Sequence, residues 1–237
     1  MSITESKVAV ITGGSRGIGA GLVTGYRAHG WAVVANARTI TPSDDPDILT
    51  IDGDVAEPTT TERIVDQTLE RFGRIDTLIN NAGVFIAKPF TDYTPADYAA
   101  VIGVNLTGFV RLTQTVVREM LRRHGGHVVN ITTTLVDHAN SKVPSVLTSL
   151  TKGGLAAATR SLAIEYATHG IRVNAVSLGV IDSHTGGPPA DEGLIGLHPL
   201  GRLGQVSDVV DGILFLEFSP FITGEILHID GGQIAGH

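Results

Sequence analysis

The feature that most constrains this chain is a glycine-rich turn between a short apolar run and an amphipathic stretch. Residues 8–11 are apolar, Thr12-Gly13-Gly14-Ser15-Arg16-Gly17-Ile18-Gly19 follows them, and apolar side chains then recur at helical spacing from Ile18 to Tyr26. Glycines let the backbone turn tightly and approach a pyrophosphate, while the free N–H groups at the start of a helix attract its charge. In this strand-turn-helix context the sequence predicts a dinucleotide site rather than an ordinary glycine-rich turn.

The alternation of apolar runs and amphipathic stretches continues along the chain. Predicted strands cover residues 8–11, 32–35, 48–51, 77–79, 128–131, 173–177 and 226–229. Helical spacing predicts helices with apolar faces from Ile18 to His29 and from Ile64 to Phe72, and further helices over 106–121, 152–168 and 205–218. Repeated βα units are typical of an α/β fold built on a parallel sheet, and we count seven strands.

Composition narrows the class of protein. The 237 residues are 42% hydrophobic and 17% charged, which suits one globular domain over 1–237. The net charge of −7 offers no basic face, so we expect no nucleic-acid partner. Cysteine is absent, and we see neither a signal peptide nor an apolar run near the ~18 residues of a membrane span. We therefore expect a cytoplasmic protein without a membrane partner.

A segment rich in glycine and proline, 185–196, lies late in the chain. It predicts a short substrate loop around 184–200, and this loop is a candidate lid over the site. The same composition also serves an inert surface loop.

Several motifs follow the glycine-rich turn in order. In chain order they are Asp54-Val55, Asn80-Asn81-Ala82-Gly83, Asn105, Lys152, Arg172-Val173-Asn174, Pro199-Leu200-Gly201-Arg202 and Gly224 to Gly232. Together with the Thr-Gly-x-x-x-Gly-x-Gly spacing, they resemble the classical type of the short-chain dehydrogenase/reductase family over practically the whole chain.

This resemblance implies a Rossmann-like, doubly wound fold with a seven-stranded parallel sheet and helices on both faces. It implies a homotetramer or homodimer in which the helices from Leu106 and Lys152 pack between subunits, and a small-molecule substrate. The cofactor-binding residues that it implies are Gly13, Ser15, Arg16, Ile18, Gly19, Arg38, Asp54, Val55, Asn81, Ala82, Gly83, Lys152, Ile181 and Ser183. Ile181 and Ser183 belong to a segment, 178–183, that resembles the one closing over the nicotinamide.

The choice of cofactor follows from charge at the end of the second strand. An acidic residue there binds a ribose 2′-hydroxyl and repels a 2′-phosphate. In this chain Ala37 takes that place and Arg38 follows it, with Arg16 in the glycine-rich turn. Two guanidinium groups can bind a phosphate through charge-assisted hydrogen bonds, so NADP(H) is preferred over NAD(H). The alternative is that both arginines are simply solvated.

The catalytic pattern of the family is incomplete in this chain. The family carries a proton-donating Tyr four residues before its Lys, whereas Thr148 stands four residues before Lys152. An ammonium group can lower the pKa of a phenol from ~10 toward neutrality, but the pKa of an aliphatic alcohol starts far too high. Thr148 therefore cannot take over the role of the phenol.

Other residues of the catalytic pattern are retained or replaced by similar ones. In Asn130-Ile131-Thr132-Thr133-Thr134, Thr133 stands where the family has its Ser, although these threonines are also ordinary strand formers. The resemblance assigns Lys152 to the nicotinamide ribose and Asn105 to a water chain. The candidate catalytic residues are thus Lys152, Asn105, Thr133 and Thr148.

A different proton source is possible near the threonines. Asp137 and His138 follow them, and a histidine there can supply a proton near neutral pH, although most such histidines are merely solvated. The nine histidines show no paired helical spacing such as His-Glu-x-x-His, so we expect no metal site.

Three hypotheses follow. The leading one is an NADP(H)-dependent oxidoreductase that reduces a small carbonyl, imine or activated alkene with atypical proton donation. The second is a dinucleotide-binding protein without redox activity, either regulatory or a silent subunit. The third is a non-redox lyase or isomerase that uses the same pocket.

Overall fold

Strands and helices alternate along the computed structural model, which describes residues 6–183 and 192–236. The elements are β1 (Val8–Thr12), α1 (Gly17–Ala28), β2 (Ala32–Ala37), β3 (Ile48–Asp52), α2 (Pro58–Phe72), β4 (Thr77–Asn80), α3 (Pro95–Ile102), α4 (Phe109–Arg122), β5 (Gly126–Thr133), α5 (Val146–Tyr166), β6 (Ile171–Leu178), β7 (Ile181–Asp182), α6 (Glu192–Ile195), β8 (Gly204–Gln205), α7 (Val206–Phe218) and β9 (Ile226–Ile229).

Seven strands form one parallel sheet in the order β3-β2-β1-β4-β5-β6-β9. In β1, Val8 pairs with Ala32 of β2 and Ala9 pairs with Thr77 of β4. The predicted Rossmann-like fold with seven parallel strands is therefore confirmed. The strand order reverses direction between β1 and β4, and in such sheets ligands bind beyond the carboxyl ends of the strands at this point.

Apolar side chains cover both faces of the sheet. On one face the strands pack against α2, α4 and α5, through residues such as Ile64, Leu112 and Ala163. On the other face they pack against α1 and α7, through residues such as Tyr26 and Ile213. Both faces of each central strand are thus buried, which explains why the strands are continuous apolar runs.

The long helix before β5 begins earlier than predicted. Pro95–Arg122 is one continuous helical stretch, in which the π-helical turn Gly103–Gly108 joins α3 to α4. Thr94 begins α3 with a capping box, because its Oγ1 accepts from Asp97 N–H at 3.2 Å and Asp97 Oδ2 accepts from Thr94 N–H at 2.8 Å. The prediction of 106–121 missed this first part.

The same stretch is long and apolar enough, by length and composition, to cross a membrane. Leu112, Val116 and Met120 point from it into the core, so packing against the sheet accounts for its apolar character.

Helix α5 also begins earlier than the predicted residue 152. It runs over Val146–Tyr166 with Ser145 as its N-cap residue. The run of Thr148, Ser149 and Thr151 has low helix propensity, and tertiary packing overrides it. As a consequence Thr148 lies inside the helix, one turn before Lys152.

Two short strands, β7 and β8, form a second sheet that the sequence did not predict. Ile181 pairs with Gly204 and Asp182 pairs with Gln205. The candidate lid at 185–196 lies largely outside the described residues, and within it only 192–196 are described.

Candidate active site

A cleft of about 790 Å³ opens at the carboxyl ends of β1, β2 and β4, where the strand order reverses. Predicted cofactor-binding residues supply most of its lining, namely Gly13, Ser15, Arg16, Ile18, Gly19, Arg38, Asp54, Val55, Asn81, Ala82, Gly83 and Ser183. Its size and position suit a dinucleotide at the switch point of a doubly wound sheet.

The glycine-rich turn has little space for side chains. Gly13 and Gly17 have φ of 68° and 53°, a left-handed conformation that favours glycine. A Cβ on Gly19 would overlap the carbonyl oxygen of Gly13. The turn therefore leaves the first N–H groups of α1 next to the cleft, as an anion site requires.

Hydrogen bonds tie the glycine-rich turn to the motif after β4. Thr12 Oγ1 accepts from the N–H groups of Asn81 at 3.1 Å and Ala82 at 3.0 Å. In return, Asn81 Nδ2 donates to the carbonyl oxygens of Thr12 at 2.8 Å and Gly13 at 3.3 Å. These side chains thus hold two walls of the cleft together.

The end of β2 forms the wall where the adenine ribose is expected. Ala37 and Arg38 line it, and Asn36 Nδ2 beneath them donates to the carbonyl oxygens of Ile51 at 3.0 Å and Gly53 at 3.1 Å. Arg16 and Arg38 are exposed, and neither guanidinium group forms an ion pair or a hydrogen bond with any residue of the described ranges. Both guanidinium groups are therefore available to an anion in the cleft.

Lys152 lies behind the opposite wall. Its Nζ donates to the carbonyl oxygen of Ile131 at 2.7 Å, and a Cβ on Gly83 would stand 3.3 Å from Nζ. The side chain is buried, and burial lowers the pKa of Lys152 from 10.5 to about 8. The ammonium group therefore loses its proton near pH 8 and not near pH 10.5.

The side chain of Asn105 forms hydrogen bonds with the backbone of Val84, next to Gly83. Its Oδ1 accepts from Val84 N–H at 2.8 Å, and its Nδ2 donates to Val84 O at 3.0 Å and to Thr151 Oγ1 at 3.1 Å. Both hydrogens of the amide are thus used within the protein. Asn105 positions Val84, which lines the cleft, but Asn105 itself does not line it.

The two predicted catalytic threonines are not part of the cleft lining. Thr148 is 3% exposed, and its Oγ1 has no hydrogen-bond partner among the described residues. Thr133 Oγ1 accepts a long hydrogen bond of 3.4 Å from Leu135 N–H. The alternative proton source, His138, is exposed and outside the lining, while Asp137 pairs with His228 at 3.4 Å.

The segment after β6 contributes one of its two predicted residues. Ser183 lines the cleft, and a Cβ on Gly17 would lie 3.1 Å from Ser183 Cβ. Ile181 is not among the lining residues of the cleft, and its side chain packs against the core on the α1 and α7 face. Its contact with the nicotinamide stays a prediction.

Sequence reasoning missed several lining residues, which are Asn36, Thr39, Gly53, Val84 and Val104. Asn36 carried a usable signal, because a polar residue inside an apolar strand usually has a structural partner. The others are small or apolar and could be assigned only from the fold.

Known proteins were compared with this chain. The family model for enoyl-(acyl carrier protein) reductase matches residues 13–233. A 3-oxoacyl-(acyl-carrier-protein) reductase of Synechocystis sp. is 32% identical over 247 residues, which cover 99% of each chain. The structure of ElxO with NADP bound has a TM-score of 0.90 at 28% identity and covers 98% of this chain and 100% of its own.

A second solved structure carries the other cofactor. The 3-ketoacyl-(acyl-carrier-protein) reductase from Brucella melitensis, complexed with NADH, has a TM-score of 0.88 at 25% identity and covers 97% of this chain and 99% of its own. By family model, relatives and fold, this chain belongs to the short-chain dehydrogenase/reductase family of NAD(P)-dependent oxidoreductases and is similar to the 3-oxoacyl-(acyl-carrier-protein) reductases.

Proposed function

We propose that this protein is an NADP(H)-dependent oxidoreductase that reduces a small carbonyl, imine or activated alkene, with a proton donor other than a tyrosine. The preference for NADP(H) depends on Arg16 and Arg38, whose guanidinium groups border the cleft without partners among the described residues, while Ala37 stands where a carboxylate would repel a 2′-phosphate. Each guanidinium can donate two hydrogen bonds to a 2′-phosphate.

The other residues of the cleft would each contact one part of the cofactor. The first turn of α1 binds the pyrophosphate, and Asp54 and Val55 contact the adenine. Asn81, Ala82 and Gly83 border the nicotinamide ribose, with Lys152 behind them. Bound NADPH supplies a hydride to the substrate carbon.

Lys152 is the proposed source of the proton. Among the described residues, the titratable ones that line the cleft are Arg16, Arg38 and Asp54, at its adenine half. At the other half, the enclosed hydroxyl of Thr148 stands where the family has its phenol, and Lys152 Nζ lies against Gly83. The ammonium group donates its proton to the atom left basic by the hydride, which is the oxygen of a carbonyl, the nitrogen of an imine or the carbon beside the activating group of an alkene. It regains a proton from water.

This assignment predicts a pH profile. The pKa of Lys152 is about 8, so turnover should fall as the pH rises through that value, because the ammonium group has lost its proton. Lys152→Arg keeps its charge throughout and cannot release a proton, so NADPH binding should persist with turnover reduced at every pH. A wild-type profile that is flat through pH 8 would argue against Lys152 as the donor.

The cofactor assignment is tested by binding and turnover with NADPH and NADH across a panel of carbonyls, imines and activated alkenes. The double variant Arg16→Ala, Arg38→Ala should weaken NADPH binding about 100-fold, since each lost contact to a charged phosphate is worth roughly 1.5 kcal/mol, and leave NADH binding nearly unchanged. Arg123→Ala, which removes an exposed arginine far along the chain on the α4 side, is the matched control. Equal binding of both cofactors by the wild type would overturn the preference.

The second candidate function is dinucleotide binding without turnover. The enclosed, unpartnered Thr148 hydroxyl favours it, because no phenol stands at this position. The same panel decides between the two: NADPH binding without oxidation of NADPH across all substrate classes would support the binding protein.

The assembly that we propose is a homodimer or homotetramer in the cytoplasm. Val110 on α4 and Leu150 and Ile164 on α5 are 54%, 58% and 78% exposed, which fits burial of these helices between subunits. Light scattering on the purified protein measures the mass, and a monomer would contradict this assembly.

A further inference from the structure

One buried histidine beyond the cleft bonds its own segment, 194–198, to the turn after β6. His198 is 3% exposed. Its Nε2 lies 3.0 Å from Val180 N, and its Nδ1 lies 3.0 Å from Leu194 O. A backbone N–H only donates and a carbonyl only accepts, so Nε2 is the acceptor and Nδ1 carries the hydrogen. The partners of the ring thus fix a single neutral tautomer.

Glycines leave room for this ring. A Cβ on Gly179 would lie 2.7 Å from His198 Nε2, and a Cβ on Gly231 would lie 3.2 Å from His198 Cβ. Backbone bonds hold the same region together, since Gly179 N–H donates to Ile229 O at 3.1 Å and Leu200 N–H donates to Gly231 O at 3.1 Å. The ring is therefore packed between the turn after β6 and the turn after β9.

A short path of contacts leads from this ring to the cofactor cleft. Val180 donates to His198 through its N–H and accepts from Gly204 N–H through its carbonyl at 3.0 Å. The next residues form β7, and Ser183 after it packs against Gly17 of the glycine-rich turn. The position of Val180 therefore affects the position of Ser183, which forms part of the cleft wall.

We propose that His198 is a positioning residue for the cofactor: its Nε2 holds the Val180 N–H, and through it the 179–183 segment, against the nicotinamide half of the cleft. This inference rests on the proposed function, in which the cleft binds NADP(H). His198 does not line the cleft, so its effect passes through the backbone of this segment.

Two substitutions separate positioning from a general contribution to folding. In His198→Gln the side-chain oxygen reaches the place of Nε2 and can still accept from Val180 N–H. In His198→Asn the shorter side chain reaches only the place of Nδ1, so the Val180 N–H loses its acceptor. Both variants replace a buried ring by a smaller amide, so both should lower the thermal midpoint to a similar extent.

Binding is measured by titration with NADPH and, separately, with adenosine 2′-monophosphate, which has no 5′-phosphate and so reaches only the half of the cleft lined by Arg38 and Asp54. We expect His198→Asn to weaken NADPH binding about tenfold and His198→Gln to stay within about twofold of the wild type, as for one hydrogen bond lost or kept. Binding of the monophosphate should be unchanged in both. If His198→Asn does not fold, Gly179→Ala replaces it, because its Cβ would displace Nε2 from Val180.

Three results would overturn this inference but leave the proposed function intact. They are unchanged NADPH binding in His198→Asn, equal weakening of the binding of both ligands, and NADPH binding by His198→Gln that is as weak as that of His198→Asn. A wild-type protein that binds neither ligand would overturn the proposed function and this inference together.

Discussion

Polar side chains of the described residues lack protein partners at one end of the strands and are paired with one another at the other end. We call these ends the carboxyl edge and the amino edge of the sheet. At the carboxyl edge, Arg16 and Arg38 border an open cleft without protein partners, and the Thr148 hydroxyl has no partner in the described chain. At the amino edge, His127 and Glu217 are buried and bonded to each other. Unpaired groups at one edge are available to a ligand, whereas paired groups at the other hold the elements together.

Glu217 is the centre of the network at the amino edge. Its Oε2 accepts from Tyr26 OH at 3.0 Å, Thr77 Oγ1 at 2.9 Å and His127 Nδ1 at 2.9 Å. Burial alone would raise the pKa of Glu217, but the bonds from His127, Thr77 and Tyr26 hold it below its usual value. Glu217 thus joins α7 to α1, β4 and β5.

Arg172 completes this network. Its guanidinium donates to the carbonyl oxygens of Leu216 at 2.9 Å and Glu217 at 3.0 Å, at the end of α7. On the other ring nitrogen of His127, Nε2 accepts from Asn174 Nδ2 at 3.0 Å. Burial lowers the pKa of His127, and this neutral ring bonded on both sides agrees with that direction.

The largest expected effect is on stability at the amino edge. Glu217→Leu leaves three buried donors without their acceptor and removes the carboxylate charge that acts on Arg172, so it should lower the free energy of unfolding by about 3–5 kcal/mol. Arg38→Ala, at the other edge, should change it by less than about 0.5 kcal/mol, because Arg38 has no partner to lose. Urea unfolding of both variants measures the difference.

Glu217→Gln serves as the control for shape, since it keeps an acceptor in place and should lose less than the leucine variant. Equal losses for Glu217→Leu and Arg38→Ala would remove the distinction between the two edges.

The next effect concerns the one buried ammonium at the carboxyl edge among the described residues. The pKa of Lys152 is about 8 in the folded protein and 10.5 in an exposed chain. Between these values the unfolded chain binds a proton that the native state does not, so stability rises with pH through this window. Below pH 8 both states are charged, and the full burial penalty of about 3 kcal/mol is present.

Lys152→Met carries no such penalty. The variant should therefore be the more stable protein by about 3 kcal/mol at pH 7, and the two proteins should converge as the pH approaches 10.5. Urea unfolding at a series of pH values without cofactor gives both curves. Parallel curves through the window would mean that Lys152 is not held in a desolvated site.

The sequence predicted the structure correctly where the local pattern and the tertiary contacts favour the same element. The seven strands and the glycine-rich turn were predicted because apolar runs and glycine spacing are local signals, and Gly13 and Gly17 do adopt the left-handed backbone that the turn requires. The sequence analysis did not predict α3, although Thr94 and Asp97 form the capping box that marks the start of this helix.

Other features depend on contacts between distant residues. β7 pairs with β8 through Ile181 and Gly204, 23 residues apart, and no local signal predicts that pairing. His127 and Glu217 lie 90 residues apart in the chain. The network at the amino edge was therefore invisible until the fold brought its members together.

The smallest expected effect tests the unpaired hydroxyl itself, with a second threonine of α5 as its match. Thr148→Val replaces an enclosed hydroxyl that has no partner by a methyl group of similar shape, so it should raise the free energy of unfolding by about 1 kcal/mol. Thr159→Val removes a hydroxyl that accepts from Asn130 Nδ2 at 2.9 Å and donates to Leu155 O at 2.8 Å, so it should lower it by about 1–2 kcal/mol.

Helix propensity does not enter this comparison, because both substitutions exchange one β-branched residue for another in the same helix. Opposite signs in urea unfolding would assign the difference to hydrogen bonding alone. If Thr148→Val is destabilising as well, its hydroxyl has a partner in solution, and the contrast between the two edges then rests on Arg16 and Arg38. Turnover provides a separate readout: a hydroxyl that does not donate the proton can be removed without loss of NADPH oxidation.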